Sequence, residues 1–452
     1  MSNQPIELRI AYLGGGSRGW AHNLMRDLAC CADLTGVVWL YDIDYEAAQV
    51  NATLGNWLAT QPGVQSAWRY EAVSSLAEAL RGADFVFISI QPGDLGLMGH
   101  EIAVSEQYGL FFPVGDTTGI PGLMRGVRAA MIYAEFAHSI SKYCPHAWVV
   151  NYSNPMTICT RTLTKVAPGL KVFGCCHEVF GTQLIFAELA QGWLGLPAQP
   201  LRAEICVNVL GINHFTWLDR ATYAGHDLLA LLRAYLAKPG VLRPYTQAEV
   251  EAQNNWFFDG RQVKFELFRR YGVLPAAGDR HLCEFVPGFT RSPAELFRWG
   301  INRTPISYRV ERWRLGTQLA QNLVAGRAPL QLHPSGEEMV QQLRALVGLG
   351  DFITNVNLPN SGQVANLPFG AVVETNARFS RDEVQPLAAG SLPPGVCALV
   401  ARHVANQELI VAGTLARDKD LIFQALFSDP TTNLPIDQAW RLFEEIGLPA
   451  EF

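Results

Sequence analysis

The first half of the chain alternates short apolar runs with longer stretches whose apolar residues recur at helical spacing. Strands are expected at 7–13, 36–41, 84–90, 147–151 and 170–174, each closed by a polar or glycine-bearing turn. A run of helical character, Trp20 to Cys30, follows the first of them. Strand–helix alternation at this rhythm builds a parallel sheet with right-handed crossovers. Around Leu194 to Pro200 the composition turns to Gly, Pro and Ala, which suits a hinge. Beyond it the pattern predicts a strand over Ala203 to Leu210 and helices over Val263 to Tyr271, Pro305 to Leu323 and Gly336 to Val347. Loops separate them, including a Pro/Gly-rich stretch near 387–395. The expected division is a dinucleotide-binding unit over 1–198 and a metal- and substrate-binding α+β unit over 199–452. No internal repeat or low-complexity tail interrupts this order.

The first apolar run ends in Gly14-Gly15-Gly16-Ser17-Arg18-Gly19, which contains the spacing G-x-G-x-x-G. In a dinucleotide site the first glycine makes the tight turn. The second admits the pyrophosphate, and the third lets the following helix pack on the strand. The helix N-terminus then offers free N–H groups to the phosphates. Asp42 closes the second run, 23 residues past Gly19, near where an acid hydrogen-bonds the adenosine ribose. Such an acid favours NAD over NADP, although Asp42 also fits a cap for a helix from Tyr45 onward. Ser17, Arg18 and Gln91 join Gly14, Gly16, Gly19 and Asp42 as cofactor-binding candidates.

At 452 residues the chain exceeds one ordinary core, so two units or one enlarged unit are expected. Hydrophobic residues make up 49% and charged ones 17%, an excess that suits buried subunit interfaces and predicts a homodimer or homotetramer. The net charge of −6 and the lack of a Lys/Arg cluster argue against nucleic acid and against an anionic membrane surface. Apolar runs stop short of the roughly 18 to 20 residues that span a bilayer. The first residues carry no signal-peptide pattern, so the cytoplasm is expected. Nine cysteines, an odd number without framework spacing, fit reduced thiols rather than disulfides.

In parallel sheets ligands gather beyond the strand C-termini. There the chain places Ile90-Gln91-Pro92-Gly93, Asn151-Tyr152-Ser153-Asn154-Pro155 and Cys175-Cys176-His177-Glu178, with Gly211-Ile212-Asn213-His214 after the later strand. Cys176 and His214 stand 38 residues apart, each at a predicted strand end. Two ligands are too few for a structural zinc site, but they leave positions open for water and substrate oxygens on a catalytic ion. A buried cysteine and a capping histidine fit the same spacing.

Several motifs in one order, Gly14-Gly15-Gly16-Ser17, Asn154-Pro155-Met156-Thr157, Cys176-His177-Glu178-Val179, Gly211-Ile212-Asn213-His214 and Ser361-Gly362-Gln363-Val364-Ala365-Asn366-Leu367-Pro368, resemble glycoside hydrolase family 4. The resemblance runs from about residue 7 to 440. It implies a Rossmann-type parallel sheet followed by a mixed α+β, lactate dehydrogenase-like C-terminal domain. It also implies NAD-dependent glycoside cleavage, an exception to the two-carboxylate scheme. In the implied NAD-dependent route hydride leaves C3, a base takes the C2 proton, the C1 group is eliminated, water adds and the hydride returns. A divalent metal, usually Mn²⁺, bridges the C2 and C3 oxygens. Carried over, Cys176 and His214 are metal ligands and Asn154 holds sugar hydroxyls.

Phospho-sugar members have Asp directly after the metal cysteine; here His177 stands there and is the candidate acid. For the base, Asp279 is favoured and Tyr271 is second. The run Cys-His-Glu-Val resembles the α-galacturonidase subgroup, whose uronate needs a cation for its C6 carboxylate. Arg280 and Arg291, helped by His281, are candidates; Glu178 is expected to accept sugar hydroxyls, and Asp116 to line the pocket. The reading is terminal α-galacturonide hydrolysis. An α-glucosidase or α-glucuronidase of the same mechanism, a plain NAD-dependent hydroxy-acid dehydrogenase and a nucleotide-binding sensor stay open as alternatives.

Overall fold

The computed structural model describes residues 4–450 and residue 452. Its first sheet begins with β1 (Ile6–Leu13), β2 (Leu34–Tyr41), β3 (Trp68–Val73), β4 (Phe85–Ile88), β5 (Trp148–Asn151) and β6 (Lys171–Gly174). These strands are parallel and lie in the order β6-β5-β4-β1-β2-β3, two mononucleotide-binding halves joined at β1 and β4. Ile10 to Leu13 and Phe85 to Ile88 are buried at every position. Apolar residues run on consecutively there because helices cover both faces of the sheet. β3 was not expected. Its Trp68-Arg69-Tyr70-Glu71 alternates apolar with charged residues, as an edge strand with one solvated face does.

A second, antiparallel sheet holds β7 (Cys206–Ile212), β8 (Phe215–Tyr223), β9 (His226–Asp227) and β10 (Leu274–Pro275). β11 (Phe352–Pro359), β12 (Val372–Ser380) and β13 (Glu383–Pro386) return to the first sheet and extend it antiparallel beyond β6, with Asn357 opposite Gly174. The fold is thus a Rossmann-type parallel sheet with a further mixed α+β portion, and the late strands cover the sheet edge beside Cys175 and Cys176.

Two turns position the chemistry. Gly14, at φ +89°, folds the chain back so that its N–H and that of Gly15 both donate to the Tyr41 carbonyl. A side chain there would come within 2.1 Å of the Ser89 carbonyl oxygen. The β7–β8 hairpin turns through Asn213-His214 alone, and His214 is held at φ +61°. That conformation is uncommon for any residue with a Cβ and costs on the order of 1 kcal/mol.

Two expectations about the glycine loop are corrected. Close packing falls to Gly15, against Leu40, and to Gly16, against Ala47, each with room for nothing larger; Gly19 faces open space. The helix Tyr45–Leu58 is capped by Asp44, which accepts from Ala47 N, and not by Asp42. Asp42 instead accepts from Gly16 N at 2.8 Å and Asp44 N at 2.9 Å, which ties the loop to the end of β2.

Candidate active site

The glycine loop passes into the helix Trp20–Ala29 at Gly19 with no side chain capping it. The first amides of that helix carry a partial positive charge that an anion can satisfy. Arg18 turns away from the loop, donating from Nε to Thr317 (2.8 Å) and lying 5.3 Å over the Trp313 ring. Deeper in the cleft, Gln91 Nε2, Asn154 Oδ1 and Thr157 Oγ1 are buried without a protein partner. Buried polar atoms ordinarily pair, so this wall offers unused donors and acceptors to a polar ligand. The loop and these atoms therefore fit a dinucleotide beside a sugar.

The C-terminal edges of both sheets bring together Asp116, His214 and His281, whose ligand atoms all lie within 4.8 Å of one another. Thr117 fixes the geometry. Its hydroxyl donates to Asp116 Oδ1 at 2.6 Å, so its oxygen accepts from His214 Nδ1 at 2.8 Å. That bond places the ring proton on Nδ1 and leaves the Nε2 lone pair for a ligand, as outer partners of metal-binding histidines do. Burial, then the neighbouring His281, pushes His214 down to about 3, so it is neutral at pH 7. Burial would raise the Asp116 carboxyl, but His281, His214, Arg125 and Arg309 outweigh it and hold it well below the usual range. The His214 and His281 rings lie 3.9 Å apart, and His281 Nδ1 is buried without a partner. Two imidazoles and a carboxylate suit a divalent cation.

Cys176 lies outside that three-residue group, beside Asn213, Glu374 and Glu178. Burial, with the Glu374 and Glu178 charges, pushes its thiol well up; the Glu178 amide and Asn213 offset only part of this. Such a sulfur becomes a thiolate only beside a cation, the behaviour of a metal-binding cysteine. Glu374 is fully buried, accepts from Asn213 Nδ2 (3.2 Å) and Asn355 Nδ2 (2.7 Å), and is pushed up to about 7 by burial. Burial works to raise Glu178, yet the His281 and His214 charges and the Gly278 N–H at 2.7 Å bring it down to about 2.

His177 leaves the sheet edge exposed, stacked on Trp20 with ring centroids 5.4 Å apart. Its Nδ1 lies 3.0 Å from Glu337, a bond that raises the imidazole above its ordinary value. Asn154 presents its carbonyl to Arg125 Nε at 2.9 Å. Arg280 is buried, donating to Pro113 O (3.3 Å) and Thr304.

The remaining candidates take other places. Asp279 is completely buried, and its two oxygens accept the Val263 and Lys264 N–H groups at 2.9 and 2.8 Å. It serves the start of the helix Gln262–Tyr271 and has no face open to a sugar, so its assignment as base is corrected. Tyr271 ends that helix with its ring edge-on to Trp217. Arg291 is exposed before the helix Pro293–Arg298. Sequence reasoning named Thr117 only within the pocket-lining run Gly115 to Gly119 and missed Glu284, which accepts the Val114 and Gly115 amides, and Arg309, which holds the Val114 carbonyl. Both sit in ordinary helical runs that carry no local signal.

The Family 4 glycosyl hydrolase domain matches residues 9–191, and the Family 4 glycosyl hydrolase C-terminal domain matches residues 209–432. An alpha-galacturonidase of Thermoanaerobacter italicus is 46% identical over 446 residues, covering 97% of this chain and 95% of its own. The crystal structure of the Bacillus subtilis protein lplD superposes with a TM-score of 0.91 at 46% identity, covering 98% of this chain and all of the other. A 6-phospho-alpha-glucosidase from gut microorganisms, solved with NAD and Mn²⁺, shares the fold at a TM-score of 0.79 and 19% identity, over 98% of this chain and 97% of its own. With both halves matched in order and relatives this close along almost its whole length, the chain belongs to the family 4 glycosyl hydrolases.

Proposed function

We propose that the protein hydrolyses terminal α-linked galacturonides with NAD and a divalent cation such as Mn²⁺. One observation carries this reading: the Asp116–His214–His281 cluster, Cys176-His177-Glu178 and a buried Arg280 meet at the sheet edge next to the glycine loop. The 46% identity to alpha-galacturonidases supports the sugar. Bound at this edge, the nicotinamide accepts and returns a hydride and the cation supplies Lewis acidity.

The chain's own residues do the rest. His214, Asp116 and His281 supply the cation's donors, and Cys176, beside Asn213, is a further sulfur donor. Gly14, Gly16, Ser17 and the amides after Gly19 cradle the pyrophosphate, Asp42 stands at the ribose end, and Gln91 and Asn154 hold the nicotinamide and sugar side. Glu178, an anion at neutral pH, accepts sugar hydroxyls. His177, whose imidazole the bond to Glu337 raises above its ordinary value, donates to the leaving oxygen. We divide the chain at 198/199, near the junction of the two matched domains. We further place the enzyme in the cytoplasm, because all nine cysteines are free thiols. No helix among the described residues is long and apolar enough to cross a membrane. A homodimer or homotetramer fits the exposed Val310 and Leu319 of the helix Ile306–Val324.

The test is release of galacturonate from α-linked digalacturonide. Activity should need NAD⁺ without net NADH formation, vanish with chelator and return with Mn²⁺. Steady NADH accumulation with a hydroxy acid, and no sugar release, would sink the reading.

A further inference from the structure

His403, midway along the helix Pro394–Ala416, is 1% exposed and touches every segment that carries a member of the Asp116–His214–His281 group. Its Nε2 lies 2.8 Å from the carbonyl of Phe285, at the end of the helix Asp279–Phe285 that bears His281. Its Nδ1 lies 3.2 Å from the hydroxyl of Thr118, two residues past Asp116. Its ring stands edge-on to Phe285, with centroids 4.8 Å apart, and to Phe215, the residue after His214, at 5.7 Å. Three stretches distant in sequence thus meet on one imidazole.

The bonds have a fixed sense. A carbonyl only accepts, so Nε2 carries a proton and donates to Phe285. Thr118 makes no cap bond to the helix Gly119–Tyr143 that it precedes, and its hydroxyl lies 3.2 Å from both His403 Nδ1 and Asp429 Oδ2. Asp429 Oδ2 also takes the Gly119 N–H at 3.3 Å, while its other oxygen accepts from the Thr431 N–H at 2.9 Å and hydroxyl at 2.6 Å. The opposite end of the Asp116 loop is held from the helix Asp279–Phe285, where Glu284 accepts the Val114 and Gly115 amides. Between these two grips stands Thr117, whose hydroxyl bridges Asp116 and His214. A phenyl ring would fill the same apolar space without burying any polar atom. What the imidazole adds is its two bonds, and both run to ligand-bearing segments.

We propose that His403 is a positioning residue for the divalent cation. It fixes the Asp116 loop against the helix of His281 and the hairpin of His214, so that the three side chains are set to share one ion. The inference rests on the cation reading above and adds to it a buried residue that is not itself a ligand. Outer partners of this kind raise affinity by holding the ligands in place before the ion arrives.

Titration of the full chain with Mn²⁺, read from free Mn²⁺ by electron paramagnetic resonance, tests it, with NAD⁺ binding followed separately by calorimetry. His403→Phe keeps the ring packing and loses both bonds, so Mn²⁺ affinity should fall about tenfold or more, as on loss of an outer partner. NAD⁺ affinity in the absence of metal should stay within about twofold, since the glycine loop shares none of these contacts. Thr118→Val removes the hydroxyl alone and should also weaken Mn²⁺ binding; it decides on the same two readouts if the Phe variant loses thermal stability. Mn²⁺ affinity within about threefold of wild type in either folded variant would overturn the inference. So would Mn²⁺ and NAD⁺ affinities falling together, the mark of a general loosening. A wild type that binds no Mn²⁺ instead overturns the cation reading itself.

Discussion

At the scale of the residue, His214 does two jobs that pull against each other. It occupies a left-handed backbone position that asparagine tolerates better, yet its imidazole uses Thr117 as a proton acceptor and presents a basic nitrogen lone pair, which an amide lacks. His214→Asn should therefore leave the melting temperature within about 4 °C of wild type, since a cap-like change at such a turn is worth under about 1 kcal/mol. Mn²⁺ affinity should fall more than about tenfold, as loss of a ligand does; retained affinity would count against the ligand role. His177 gives a second test. Its raised pKa comes first from the bond to Glu337, so the folded state holds this proton more tightly than the unfolded chain. The associated stability is present below about pH 6.5 and is lost as pH rises through the folded value. Glu337→Gln should move the His177 titration, followed by NMR of the imidazole, to lower pH. The alkaline limb of activity should move with it if His177 donates the proton.

Legibility in the sequence followed locality. Gly14, Asn154, His177 and His214 were visible because each sits where an apolar run breaks, the one place where a single chain shows that it leaves a strand. Of the candidate metal group, only His214 had been read as a ligand. His281 and Asp116 lie in a short helix and a loop, and nothing in their neighbours says that both meet a hairpin formed by other residues. Asp279 shows the opposite error. An acid in a Gly-Asp-Arg-His run looks reactive, but its partners, Val263 and Lys264, start a different helix.

Elements make that last point measurable. The helix Gln262–Tyr271 begins with donors that Asp279 accepts, and the buried Lys264 ammonium reaches Thr182 at 2.6 Å, one turn past Glu178. Asp279→Ala should cost about 3–5 kcal/mol, because it leaves two buried amides without their acceptor and removes a carboxylate charge facing the buried Lys264 ammonium. Chemical denaturation measures this. A loss under about 1 kcal/mol would show that the carboxylate is not needed for folding and reopen a role with substrate. Strands taught a related lesson. β1, β2, β4, β5 and β6 are apolar on both faces and were readable as runs. β3 and the late β11–β13 lie at or beyond the edges, where one polar face breaks the run, and the long return to the first sheet has no local trace in the chain.

At the scale of the whole molecule, the enzyme is a parallel sheet whose active edge is finished by segments hundreds of residues away. The helix Ile306–Val324 shows what this entails. Trp313 and Thr317 hold Arg18 from the glycine loop, while Arg309, one turn before Trp313, holds Val114 beside Asp116. Most of its surface faces solvent, and Ala320 alone is buried. Gly316 packs on Arg18, and Ala320, Leu323 and Val324 seat the end of the helix on the core of the parallel sheet. A displacement of Arg18 would therefore be carried to Val114 through one stretch of backbone, which joins the glycine loop mechanically to the Asp116 segment.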